Sequence, residues 1–448
     1  MWFLLLSVSV LSSVASAATT AGCVISTNGD LGEPQPLIVD LSLNIIEPQG
    51  KDEVAFSANE TFLLSCPNSH LIVESGNTKR NLTENETATC VSGKQFRVQN
   101  TTTIFANITC LQYPYHVARL TNQTCEHGNQ EIEVGFFILQ TYVRHVSICF
   151  DKKQHASLYS YFRLTPTIQG RQSGFPRPSW INGNFYSFGS NSSNTDANSL
   201  LILANQIATI SKLIGYNSTT SNPYVNNTAD LYLARGHLTA KADFVYGSQQ
   251  RLTFHMVNAM PQWQTFNGIN WAYLEADVRN LAINYNLTLQ VYTGTYGVMS
   301  LPHVVTNQSV KIYLYNDNSG NQEFPVPLLY WKFVYEPVQQ AGIVLVGVNN
   351  PYIVNVSDAI ICTDVYDTIN WTTTFSRNDI LNGYMYGCDP DELRKTITYI
   401  PKVTVKSLLV FNSSYNGTRP SSAEDLRSIS FTVSILCIFL ISSVNIMS

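Results

Sequence analysis

Cysteines are placed so unevenly along this chain that they divide it before any other feature is weighed. Six of the nine (Cys23, Cys66, Cys90, Cys110, Cys125 and Cys149) precede residue 150, Cys362 and Cys388 stand far downstream, and Cys437 falls in an apolar C-terminal tail. Without the tail the set is even and suits four disulfides, the pattern of a chain that matures in an oxidising compartment. The simplest pairing joins Cys362 to Cys388 and leaves the first six to one another. No CxxC pair or Cys/His cluster suggests zinc. Acceptors of the form N-x-[S/T] agree with secretion and imply N-linked glycans; they include Asn59, Asn81, Asn85, Asn107, Asn217, Asn286, Asn412 and Asn416. Residues 1–17 read as a signal peptide, with an apolar run from Trp2 to Leu11 and the small-residue pattern Ala15-Ser16-Ala17.

Charge supports the same division. Residues 18–150 hold seven Lys/Arg and thirteen Asp/Glu, whereas residues 151–300 hold ten and six. A whole-chain charge of −5 argues against a polyanion partner, but the basic balance of the middle favours one locally. Residues 18–150 read as a β-rich, disulfide-held accessory domain, with short strand runs at 101–105 and 134–143 and no catalytic constellation. A boundary near residue 150 is expected, with a second domain over 151–415; residues 199–215 form a helix with a wide apolar face. Residues 416–448 combine a polar spacer with the apolar run Phe431–Val444, the order of a glycosylphosphatidylinositol attachment signal, with Ser421 or Ser422 as attachment candidates. Such an anchor holds the protein to the outer membrane leaflet; a transmembrane tail is the alternative.

Polar groups able to do chemistry concentrate between residues 234 and 279. Arg235, Gly236 and His237 follow a strand candidate, Leu231-Tyr232-Leu233, in a turn-like setting. Arg251–Val257 reads as the next extended run, ending at Asn258 and the Pro261-Gln262 break; His255 within it reads as structural. Asn267 then stands at the entrance of a helix whose apolar positions Trp271, Leu274, Val278 and Leu281 recur at helical spacing. On such a helix Glu275 and Arg279 lie one turn apart on one face, with Asn267 two turns before Glu275. An amide oxygen and a carboxylate suit a hard, hydrated cation. Trp263, Phe266 and Trp271 read as core.

These residues resemble the DNA/RNA non-specific endonuclease family, which has a ββα-metal active site. Its [D/A]-R-G-H motif appears as Ala234-Arg235-Gly236-His237, its N-x-x-P-Q segment as Asn258–Gln262, and its N-x(7)-E-x(3)-R helix as Asn267, Glu275 and Arg279. The wording around them is closest to the arthropod secreted branch, which includes double-stranded RNases and salivary or gut nucleases, and weaker similarity runs through 287–298 and 326–335. The resemblance implies an α+β fold: a ββα-metal nuclease domain with a central antiparallel sheet flanked by helices, after the β-rich domain. It implies His237 as general base, Asn267 as the direct ligand of Mg²⁺ (with Mn²⁺ as a substitute), and Glu275 orienting metal-bound waters. Arg235 and Arg279 would hold the scissile phosphate, and Asn258 would position the histidine or substrate. An upstream phosphate-contacting arginine is assigned to Arg177, with Arg171 as second choice. Many family members have Asp where this chain has Ala234, a departure the arthropod branch shares. The function expected is an extracellular or cell-surface, Mg²⁺-dependent, sugar-non-specific endonuclease acting on RNA, including double-stranded RNA, and DNA. A catalytically silent nucleic-acid-binding or uptake glycoprotein on the same fold is the alternative, and a structural surface glycoprotein a third.

Overall fold

The computed structural model describes residues 22–189, 196–317, 319–372 and 376–411. The expected signal peptide and the tail with Ser421, Ser422 and Cys437 lie outside these residues. Among the described residues no helix is long and apolar enough to cross a membrane.

The chain forms two compact units that meet in sequence at 114/115, not at 150. The first is β apart from a 3-10 turn at Phe105–Asn107: a five-stranded antiparallel sheet over residues 37–104 with smaller two- and three-stranded sheets beside it. Phe56, Phe62, Phe96 and Phe105 form its aromatic centre, with Phe56 and Phe62 stacked at 4.3 Å. Disulfides Cys23–Cys90 and Cys66–Cys110 close it. The remaining pairs are Cys125–Cys149 and Cys362–Cys388, so the first six cysteines do pair among themselves. Cys125 and Cys149 nevertheless belong to the second unit, which is why cysteine density misplaced the boundary.

The second unit is built on one large sheet. Strands β1 (His116–Thr124), β2 (Gln130–Ile138), β3 (Thr141–Asp151) and β4 (Ala156–Leu164) run antiparallel. Helices α1 (Ala197–Leu200) and α2 (Leu203–Ile214) follow, the latter inside the expected 199–215 and ended by Gly215 at φ 72°. Next come strand β5 (Leu233–His237), helix α3 (Gly247–Leu252), strand β6 (Ala259–Trp263) and helices α4 (Gln264–Gly268) and α5 (Asn270–Asn284). The chain then re-enters the sheet as β7 (Leu289–Tyr296), β8 (Leu329–Glu336), β9 (Ala341–Val348) and β10 (Met385–Cys388). The sheet order is β1-β2-β3-β4-β7-β8-β9-β10, with residues 407–408 added parallel to β9. Strands β5 and β6 pair only with each other, as a separate antiparallel hairpin.

Every residue of β8 and β9 is buried. Both faces of the sheet are therefore covered, and the strands read as near-continuous apolar runs without alternation. On one face Trp331, Phe333 and Tyr335 join Val344, Val346, Leu393, Ile397 and Ile400. Alternate residues point the other way: Tyr330 packs edge-on against Trp271 (5.5 Å) and Phe266 (6.0 Å), seating α4 and α5 on the sheet.

A buried histidine pair ties β1 to the segment before β6. His116 Nδ1 lies 2.9 Å from His255 Nε2, and both rings are buried. Burial lowers the pKa of His116 to about 3, with the charges of His255 and Arg251 adding to the effect, and burial lowers that of His255 to about 4. Both rings are neutral in the fold and take up protons on unfolding below pH ~6.5. Stability is thus fully present above that pH and is lost as pH falls toward 4. The expected result is a Tm that drops over this interval, and a His255→Gln variant whose Tm drops less steeply. Equal slopes in the two proteins would refute the assignment.

Candidate active site

The hairpin puts the imidazole in place. In β5, Arg235 and His237 share one face, and Gly236 turns toward the sheet. A Cβ on Gly236 would meet Gln262 Oε1 at 2.3 Å and the Tyr330 hydroxyl at 2.8 Å, so only glycine fits there. The Arg-Gly-His triplet is therefore part of the strand itself and not a turn after it. Tyr330 donates its hydroxyl to the Met260 carbonyl across from Gly236, fixing the hairpin to the sheet.

Arg251–Val257 is not extended. It is the end of α3 followed by a 3-10 turn over Met256–Asn258. The apolar alternation of Leu252, Phe254 and Met256 imitates a strand over too short a window to separate the two periods. Asn258 has all of its amide in use: Oδ1 accepts from the Thr239 backbone N–H (3.0 Å), and Nδ2 donates to the carbonyls of Thr239 and Thr253 (2.9 Å each). It is 1% exposed, so its contribution is to hold the loop leaving His237.

The His237 ring is held between two aromatic side chains, Trp180 at 4.6 Å and Phe254 at 4.9 Å, which are themselves 5.0 Å apart. Its Nε2 is buried and has no hydrogen-bond partner among the described residues. Desolvation lowers the imidazole pKa to about 3, aided by the nearby charges of Arg177 and Lys241. The ring is thus an unprotonated base at neutral pH with its nitrogen uncommitted, the condition for accepting a proton from water.

Arg177 acts on both halves of the site, since its charge is felt at His237 and at Glu275. It is exposed, and no described residue forms an ion pair with it. Arg171, the second choice, sits at the end of a 3-10 turn over 166–170, with its backbone N–H bonded to Ile168.

Asn267 and Glu275 do not share one helix. Ile269, at φ −119° and ψ −93°, breaks the chain between α4, which carries Asn267, and α5, which carries Glu275. The amide of Asn270 donates to the carbonyls of Ser376 (2.9 Å) and Gly383 (2.8 Å), anchoring the new start. Asn267 Nδ2 donates to Gln264 Oε1 (3.1 Å), which turns the amide and leaves its oxygen without a donor among the described residues. The half-buried Glu275 carboxylate likewise accepts no hydrogen bond among them. Desolvation raises the Glu275 pKa against the pull of Lys332, and the Asp243 charge adds to the rise. One amide oxygen and one carboxylate, both lacking protein donors, fit a hydrated divalent cation. The tight Cys125, Glu126 and Cys149 group does not fit one, because its sulfurs form a disulfide.

Arg279 is not a free phosphate ligand. Its Nη1 donates to Asp243 Oδ1 at 2.7 Å, and both residues are 7% exposed. Lys332, 1% exposed, completes a buried charge group: its ammonium donates to Thr293 Oγ1 (2.6 Å), lies 5.2 Å from the Trp271 ring, and interacts with Glu275 and Asp243. Arg235 is half-buried and grips α1, donating from Nε to Asn198 Oδ1 and from Nη2 to the Asn198 carbonyl (2.9 Å). Sequence reasoning missed Trp180, Asp243 and Lys332. Lys332 carried a signal, as the one cation inside the apolar run 326–335.

A family model described as DNA/RNA non-specific endonuclease matches residues 129–393. A salivary endonuclease of Lutzomyia longipalpis is 30% identical over 234 residues, 52% of each chain, so the match spans about half that relative's length. Salivary protein Tsal1 of Glossina morsitans morsitans is 24% identical over 68% of this chain and 73% of its own. Tsal2A from the same species is 24% identical over 90% and 98%. Among solved structures, a chain of the EndoG/EndoGI complex covers 59% of this chain and 87% of that one, at 15% identity and a TM-score of 0.30. With the family model covering more than half of its length, this chain belongs to the DNA/RNA non-specific endonuclease family.

Proposed function

We propose that the protein is a secreted, divalent-metal-dependent endonuclease that hydrolyses phosphodiester bonds in RNA, double-stranded RNA included, and in DNA. The observation that carries the reading is the state of His237: an unprotonated imidazole with a buried, unpartnered Nε2, overlooked by a cation that also acts at Glu275. In this reading His237 takes a proton from the attacking water, and Arg177 and the open edge of the Arg235 guanidinium hold phosphate oxygens. Asn267 is the direct ligand of the cation and Glu275 orients its waters; Mg²⁺, or Mn²⁺ in its place, supplies charge stabilisation and assistance to the leaving oxygen when bound. A site that grips phosphate through guanidinium and metal reads no base edge, which supports activity on both sugar types.

Four disulfides support a secretory route, as do the exposed acceptors Asn59, Asn81, Asn217 and Asn286 and the salivary relatives. The lipid anchor at Ser421 or Ser422 is kept as part of the proposal. Release of cell-surface protein by phosphatidylinositol-specific phospholipase C supports it, and retention rejects it. Activity itself is tested on matched RNA and DNA duplexes. Purified protein is expected to cleave both with Mg²⁺, to lose at least 100-fold in rate after EDTA, and to recover on Mg²⁺ or Mn²⁺ addition. Cleavage unaffected by EDTA would end the metal reading; binding without any cleavage would favour the silent nucleic-acid-binding alternative.

A further inference from the structure

Arg279 leaves a vacancy among the groups expected to hold substrate, and another cation stands closer to the base. Lys241 lies four residues after His237 on a 3-10 turn that also carries Asp243. The turn separates their fates: Asp243 is buried against Arg279, whereas Lys241 is half-buried and forms no ion pair among the described residues. Its ammonium donates to the Phe175 carbonyl and lies 6.0 Å from the Phe175 ring, two residues before Arg177.

That loop is held firmly. The Phe175 ring fills the space a Cβ on Gly247 would need, at 2.1 Å. Gln172 accepts from the Gly247 N–H and bonds through its own N–H to the Val245 carbonyl (2.8 Å), and Gln250 donates to the Gln172 carbonyl (3.0 Å). The backbone two residues before Arg177 is thereby held against Lys241, and the charges of the two cations act on each other and on His237. Two cations whose charges act on each other beside an uncharged imidazole, neither of them ion-paired among the described residues, repel unless an anion enters.

We propose that Lys241 and Arg177 form one phosphate-binding cradle next to His237, with Lys241 the substrate-binding residue in place of Arg279. The ligand is a backbone phosphate of the nucleic acid, so the proposal rests on the endonuclease reading. Guanidinium and ammonium divide the work: a fork for two oxygens, a point charge for the third.

The test uses full-length protein and a duplex DNA substrate. Lys241→Gln keeps a donor for the Phe175 carbonyl but removes the charge. It is expected to raise KM roughly ten-fold, to change kcat less than two-fold, and to reduce the slope of log(kcat/KM) against log[salt] by about 0.9, one phosphate contact. Lys241→Arg is expected to restore the slope. A Lys241→Gln slope equal to wild type, or a Lys241→Arg variant equally impaired, overturns the cradle and leaves Lys241 a loop latch. A second measurement needs no variant: acetylation of Lys241 in wild-type protein, read by mass spectrometry in EDTA, should slow when DNA duplex is added. Labelling at an unchanged rate overturns the proposal. Wild-type cleavage with Mg²⁺, scored in parallel, separates failure of the cradle from failure of the endonuclease reading.

Discussion

His237→Ala is expected to lower kcat on duplex DNA by about 10²–10⁴-fold, the range a positioned general base contributes. Affinity for the same duplex in EDTA should stay near wild type, because the cations and the metal-side groups are untouched. The pH profile supplies a second reading. An imidazole free in water gains its proton near pH 6.5, whereas burial holds that of His237 down to about 3. A lowered pKa keeps the base available on the acid side, so no loss of rate between pH 7 and 5 should trace to this ring. Trp180→Ala, which opens the ring to water, is expected to create such a loss. A His237→Ala enzyme within three-fold of wild type would remove the catalytic assignment.

Arg279→Met tests the other half of the site, and the expected effect is on stability. Removing the guanidinium leaves the Asp243 carboxylate buried without its partner, a change that costs about 3–5 kcal/mol. Urea denaturation should show a midpoint shift of that size, and a second substitution, Asp243→Asn, should recover much of it. Were Arg279 a phosphate ligand, the urea midpoint would stay put, and KM and its salt dependence would move.

Much of this was legible in the sequence, and the failures share a cause. The apolar positions of α5 and the pairing class of the cysteines follow from local spacing, whereas the Arg-Gly-His triplet, expected in a turn, is strand. What the sequence conceals are partners distant in the chain. Glu275 and Arg279 do sit one turn apart, but Asp243, 36 residues earlier, takes the guanidinium. Asn267 and Glu275 keep the spacing of one helix although Ile269 interrupts it, because the interruption is imposed by carbonyls beyond residue 375 that hold Asn270. Asn258 bonds through its amide to backbone of Thr239 and Thr253 that no motif reveals. Trp180 reaches His237 from 57 residues upstream through a loop whose anchor, Phe175 over Gly247, has no periodic signature.

Tyr330 sits where the two halves of the candidate site are referred to one another. Its hydroxyl holds the strand behind His237, and its ring supports the helices behind Asn267 and Glu275. The sheet thus acts as a common datum for the hairpin and the two helices. Drift at this one position is confined accordingly. Phenylalanine would release only the hairpin, and any smaller residue would let both sides wander independently.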